Sequence, residues 1–145
     1  MQTLGIVFSI LAAISWGAVY VIDQKILETL PVTWLMLLDS LLKIFIIIPF
    51  LYFSGESINS LNSYLKVSGY QLVFVGTVIS CIAGFFILSS IKYLGATPAA
   101  IIEISYPLFA AIFAWIFLGQ KYGMQVYLGA LLVFLGSYIV VKGIR

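Results

Sequence analysis

Five apolar runs, 4–22, 33–53, 70–91, 98–118 and 124–141, divide the chain, and each is long enough to cross a bilayer. The hydrocarbon core needs roughly 20 apolar residues per helix, with about 17–25 tolerated. In lipid every backbone polar group must be satisfied within its own element or in a closed barrel. Runs this long and this uniformly apolar are helices, not barrel strands. The expected fold is an all-α membrane protein, a bundle of five transmembrane helices forming a single domain over residues 1–145. Composition excludes the soluble alternative: 63% of the residues are hydrophobic and 8% charged, against about 45–50% and about 25% in soluble domains. The first run has no basic segment ahead of it and is longer than a signal-peptide core, so it reads as a retained span.

The connections, 23–32, 54–69, 92–97 and 119–123, are short. Only 54–69 has room for structure: either Ser57 caps a short interfacial helix bearing Ile58, Leu61 and Leu65 on one side, or the segment is a plain polar loop. Orientation follows the basic residues that flank the spans. Lys66 and Lys121 fall on one side, and Lys25, Lys92, Lys142 and Arg145 on the other, a small bias that favours a cytoplasmic C-terminus and permits insertion both ways. A net charge of +2 is too small to point to nucleic acid, and the single cysteine, Cys81, can form no intrachain disulfide. No phosphate-binding glycine loop, metal-ligand cluster or nucleophile triad is present, so neither an enzyme nor a cofactor is expected.

Five crossings leave the chain on the far side of the membrane, so a second copy of the unit is inverted automatically. Many secondary transporters are built from such inverted repeats, with the substrate near the midplane between them. One unit is present here, and an antiparallel homodimer would supply the other half of a ten-helix assembly.

Glu103, in the middle of the fourth run, is the residue that most directly suggests a function. A carboxylate in a span is retained mainly where it faces a bundle interior or a water-filled path. On a helix Glu103, Pro107, Ala110 and Ala114 share one stripe, flanked by Ala99, Ala100 and Tyr106; Ile101, Ile104, Leu108, Ile112 and Trp115 make a bulky opposite side. Pro107 removes the hydrogen bond that the Glu103 carbonyl would otherwise accept. Carboxylate and freed carbonyl together form a polar pocket for a proton or a substrate cation, and competition between the two would couple their movements. The alternative is a protonated acid that glues two helices together. The chain has no histidine, so a proton relay would depend on carboxyl groups, and only Glu103 and Asp39 lie deep in spans.

Asp39 and Lys43 stand four apart in the second run, acid first, the better orientation for an intrahelical pair. They either neutralise each other so that the helix can insert, or Lys43 contacts a substrate carboxylate or Glu103. With all three groups ionised the interior carries one net negative charge per protomer, which favours a cationic or zwitterionic substrate. In the first run Ser9, Ala13, Trp16 and Tyr20 share a stripe; Trp16 is too deep for an interfacial belt and is a candidate to line the path through cation–π attraction. Small-residue ridges, Gly76, Ser80 and Gly84 in the third run and Gln125, Gly129 and Gly136 in the fifth, are assigned to helix packing or to the dimer seam.

Several fragments in order carry a family resemblance: Ala12-Ala13-Ile14-Ser15-Trp16-Gly17, Ala99-Ala100 before Glu103, Tyr106-Pro107-Leu108-Phe109-Ala110, Phe117-Leu118-Gly119, Leu128-Gly129-Ala130 and Leu135-Gly136. With the five-helix spacing, they make the chain resemble the EamA-type domain of the drug/metabolite transporter superfamily, in its single-domain form, over essentially its whole length. Members usually carry two such domains and move small polar metabolites. Gln120 departs from the pattern, which often has Glu there. The resemblance implies a multi-pass protein of the cell (inner) membrane, a secondary transporter exporting a small polar or cationic metabolite in exchange for protons as a homodimer. A non-transporting subunit, half of a heteromeric pair, and a flippase of lipid-linked substrates are the alternatives.

Overall fold

The computed structural model describes residues 2–55, 61 and 69–143, and among these every regular element is an α-helix. Five helices are long and apolar enough to cross a membrane. The helices are α1 (Gln2–Leu27), α2 (Val32–Ser54), α3 (Tyr70–Leu94), α4 (Ala96–Glu103), α5 (Tyr106–Leu118) and α6 (Met124–Gly143), with α4 and α5 together making the fourth crossing. Ser57, Ile58 and Leu65, the expected interfacial segment, lie outside the described residues.

Lysines sit in the last turns of α1, α3 and α6, namely Lys25, Lys92 and Lys142. A cation there complements the negative end of the helix dipole. Lys142 also lies over the Tyr138 ring at 5.0 Å, an aromatic–basic pair suited to the headgroup layer. Two connections turn on glycines in the left-handed region. Gly95, at φ 86°, separates α3 from α4 on its own, and its N–H returns to the Ile91 carbonyl at 2.9 Å. Gly119, at φ 64°, closes α5, and the Ala114 carbonyl accepts from both the Gly119 N–H and, at 3.2 Å, the Gln120 N–H, so one carbonyl serves two donors at the helix end.

Two compact units are distinguished, Met1–Lys25 with Ser90–Arg145, and Ile26–Ser89. In the first, the close helix packing is that of α4 and α5 on α6. Ala99, Ser105, Ala111, Ala130 and Ser137 are buried in this unit. All are small, and small side chains let backbones approach where lipid supplies no hydrophobic drive. In the second unit Met36 on α2 reaches α3, its terminal methyl 3.9 Å from where a side chain on Gly84 would begin.

Two expectations need correction. α1 does not stop at residue 22; it continues through Asp23 to Leu27, because a helix satisfies its own backbone in the headgroup layer as well as in the hydrocarbon. The fourth crossing is not one continuous helix, because its hydrogen-bond ladder is interrupted at Ile104–Ser105. Along this crossing Ala99, Ser105 and Ala111 are buried, Pro107, Leu108 and Ala114 half-buried, and Glu103, Ala110, Ile112 and Trp115 exposed.

Candidate functional site

The interruption in the fourth crossing follows from Pro107, which has no N–H and so leaves the Glu103 carbonyl without its helical donor. The last carbonyls of α4 are instead satisfied individually. Ala100 accepts from the Ile104 N–H at 3.0 Å and Ile102 from the Ser105 N–H at 3.2 Å, the second a three-residue step that tightens the turn. Ile101 accepts from the Ser137 hydroxyl of α6 at 2.7 Å. Ser105 donates in turn to Ser137 at 2.8 Å. Two buried hydroxyls therefore fasten the break to α6. Neither serine was singled out from sequence; the only signal was a pair of hydroxyls deep inside apolar runs.

Glu103 is the last residue of α4. The negative end of that helix, a carbonyl that Pro107 cannot serve, and the carboxylate are gathered within a single residue. Helix carbonyl ends concentrate partial negative charge, and the C-terminal ends of interrupted membrane helices are places where proteins hold cations and protons. Glu103 as a residue is exposed.

Among the described residues one side chain bonds it. The Tyr20 hydroxyl, from α1, donates to the Glu103 carboxylate. Tyr20 itself is 9% exposed, with the Trp16 ring beside it at 6.2 Å and tilted 55°. Asp23 and Tyr106 lie within electrostatic reach of the same hydroxyl. One turn beyond Tyr20, the Gln24 side-chain carbonyl accepts the Ala96 N–H at 2.6 Å, capping the start of α4. Trp16, Tyr20 and Gln24 are spaced by four and share a face of α1. The sequence placed Trp16 and Tyr20 on one stripe, but nothing in it identified Glu103 as the partner or extended the stripe to Gln24.

The structure thus brings Glu103, Tyr106 and Pro107 together at the break, with Trp16 next to the tyrosine that holds Glu103. Asp39 and Lys43 belong to the other unit and are joined to each other, Nζ to Oδ2 at 2.5 Å, both side chains about half-exposed at 49% and 58%. Of the glycines assigned to packing, Gly84 is the one at which an added side chain would meet a described neighbour, Met36, within 4 Å. A side chain added at Gly76, Gly129 or Gly136 would touch nothing within 4 Å among the described residues, and Ser80 is exposed. On α6 the packed positions are Ala130 and Ser137, each one residue beyond those glycines. Among the described residues no group of three or more His, Cys, Asp or Glu could hold a metal ion.

The model of the EamA-like transporter family matches residues 3–142, nearly the whole chain. Neither a curated protein nor a solved structure matches it.

Proposed function

Since the chain belongs to the EamA-like transporter family, and is therefore a multi-pass membrane transporter, we propose that it is a secondary transporter in which Glu103 binds a proton and a cationic or zwitterionic metabolite in alternation. The observation that carries this reading is the position of Glu103 at the negative end of a broken span, exposed and held by one phenol hydroxyl. A carboxylate that has to release its occupant on each cycle needs a partner that can be replaced, and a tyrosine hydroxyl, which brings no charge of its own, is one. Competition between proton and cargo for one site gives exchange, with cargo leaving as protons enter. The cell membrane is where that exchange would serve export.

The working unit we propose is two copies in antiparallel orientation. The support is physical. Asp39, Lys43 and Glu103 are all open in the protomer, and charged groups at membrane depth face protein or a water-filled cavity, not lipid. A second, inverted copy covers them and places two Glu103 carboxyls near the midplane. The open small-residue faces of Gly76 and Ser80, and of Gly129 and Gly136, suit the seam.

The test is flux into proteoliposomes under an imposed pH gradient, across a panel of amino acids, polyamines, nucleosides and quaternary amines. A member of the panel should move only while the gradient lasts. Glu103→Gln, which keeps shape and removes the charge, should abolish coupled flux while the purified protein keeps its helical circular dichroism. Wild-type flux in that variant removes Glu103 from the mechanism.

A further inference from the structure

The site contains a restraint of its own. In the unit that holds Glu103, α4 and α5 pack closely along α6 and are fastened to it by Ser105 and Ser137, so three helical segments form one body. The helix α1 joins that body differently. Two of its side chains, one turn apart, bond to α4: Gln24 to the Ala96 N–H and Tyr20 to the Glu103 carboxylate. The first bond is to a backbone group that never changes charge. The second ends on the group that transport would load.

We propose that Tyr20 is the positioning residue of the transport site, a latch that holds α1 on Glu103 while the carboxylate is vacant and lets go when it is loaded. The proposal rests on Glu103 being the site argued above. A phenol donating to a carboxylate makes a charge-assisted hydrogen bond, roughly twice as strong as its neutral counterpart. When Glu103 takes up a proton, or a cationic group occupies its oxygens, the Tyr20 hydroxyl faces a neutral or an already engaged acceptor and its hold weakens. The Gln24 bond persists, because the Ala96 N–H is unaffected, and α1 stays tethered at that end. Occupancy of the carboxylate is thereby converted into freedom of the helix that carries Trp16, the candidate path residue. Because Tyr20 is itself buried while Glu103 is exposed, cargo would replace the hydroxyl at the carboxylate without having to dislodge the tyrosine ring.

The experiment uses the full chain in liposomes and dicyclohexylcarbodiimide, an apolar reagent that modifies carboxyls within membranes. Mass spectrometry follows adduct formation at Glu103, with Asp39, paired to Lys43 on α2, as the reference in the same molecule. Tyr20→Phe keeps the ring and removes only the hydroxyl; it should raise the Glu103-to-Asp39 labelling ratio about tenfold, the equivalent of one lost charge-assisted hydrogen bond. Gln24→Leu, which loosens α1 elsewhere, should leave the ratio within about twofold of wild type, because the Tyr20 hydroxyl still bonds the acid. An unchanged ratio in Tyr20→Phe overturns the proposal. So does an equal rise in both variants, since any loosening of α1 would then suffice. Should Tyr20→Phe fail to fold, a rise in Gln24→Leu approaching tenfold would still defeat the latch, and a ratio near wild type would support it. Labelling requires no transported molecule, so its outcome is independent of whether Glu103→Gln stops flux.

Discussion

At the scale of single residues, the ionisable groups behave according to whether they have a partner. Asp39 and Lys43 are paired across one helical turn, and if the pair neutralises itself α2 can carry two charges into the bilayer. A lone Asp, Lys or Arg at a helix centre costs roughly 2.5–3.5 kcal/mol on insertion scales. Lys43→Met should therefore insert poorly and lose thermal stability in detergent. The double variant Asp39→Asn with Lys43→Met should recover most of that loss, because it leaves no unpaired charge. Glycosylation-tagged insertion and melting of the purified protein would measure both. Should the double variant be stable yet inert in the flux assay, the pair has a part in transport beyond insertion. A double variant as poorly inserted as the single one would show that the pair does not act by self-neutralisation. Glu103 has no such partner on its own helix; its bond crosses to α1. That contrast explains why one acid could be read as self-contained from spacing alone, whereas the other's neighbour could not: four-residue spacing reveals contacts within a helix, but not which helices lie side by side.

At the scale of elements, the fourth crossing shows how a local rule and a tertiary contact combine. Pro107 removes one rung of the ladder, and Ser137 supplies a hydroxyl to the Ile101 carbonyl while accepting from Ser105. Ser137→Ala takes away both bonds and leaves Ser105 buried without that acceptor. A loss of about 1–3 kcal/mol is expected, read as a lower unfolding midpoint in detergent, with a larger loss than for Ser9→Ala, whose hydroxyl bonds only its own helix at Gly5. Equal effects would mean that the hydroxyls do not fasten the break. Gly95→Ala should also be destabilised, by about 1–3 kcal/mol, since an alanine at φ 86° is strained even though the nearest atom, Gln24 Oε1, is 3.5 Å away and leaves room. The spans were legible in the sequence because hydropathy accumulates along a run without reference to neighbours. The packed face of α6 was not. Gly129 and Gly136 lie next to Ala130 and Ser137, and glycine, alanine and serine are all small enough for close approach, so the pattern admits either face. One residue of difference turns the contact by about 100° around the helix. The hydroxyl of Ser137 was the discriminating feature, since a buried polar group needs partners and a glycine does not.

At the scale of the whole molecule, the flanking charges decide which way the protein enters the membrane, and the antiparallel reading depends on both ways being used. Lys25, Lys92, Lys142 and Arg145 stand on one side against Lys66 and Lys121 on the other, four against two. Orientation follows the lysine and arginine bias in short flanking segments, so small edits should polarise it. Lys121→Gln leaves four against one and should drive every molecule into a single orientation. Adding basic residues by Gln120→Arg and Gly123→Lys, with Arg145→Gln, gives four minus one against two plus two, three against four, and should favour the reverse. Both positions chosen for added charge are exposed in the turn between α5 and α6, so the fold should tolerate them. Accessibility of a tag on each terminus, from either side of the membrane, measures the outcome. An antiparallel pair needs one member of each orientation, so each polarised variant alone should lose coupled flux while the two produced together regain it. Flux retained by either variant alone would exclude the antiparallel homodimer, leaving the Glu103 site to be covered in some other way. Loss in both with no recovery on coexpression would point to damage at the turn, which the melting of each variant would reveal. Recovery by mixing two separately inactive proteins has no explanation in a transporter that works as a single protomer.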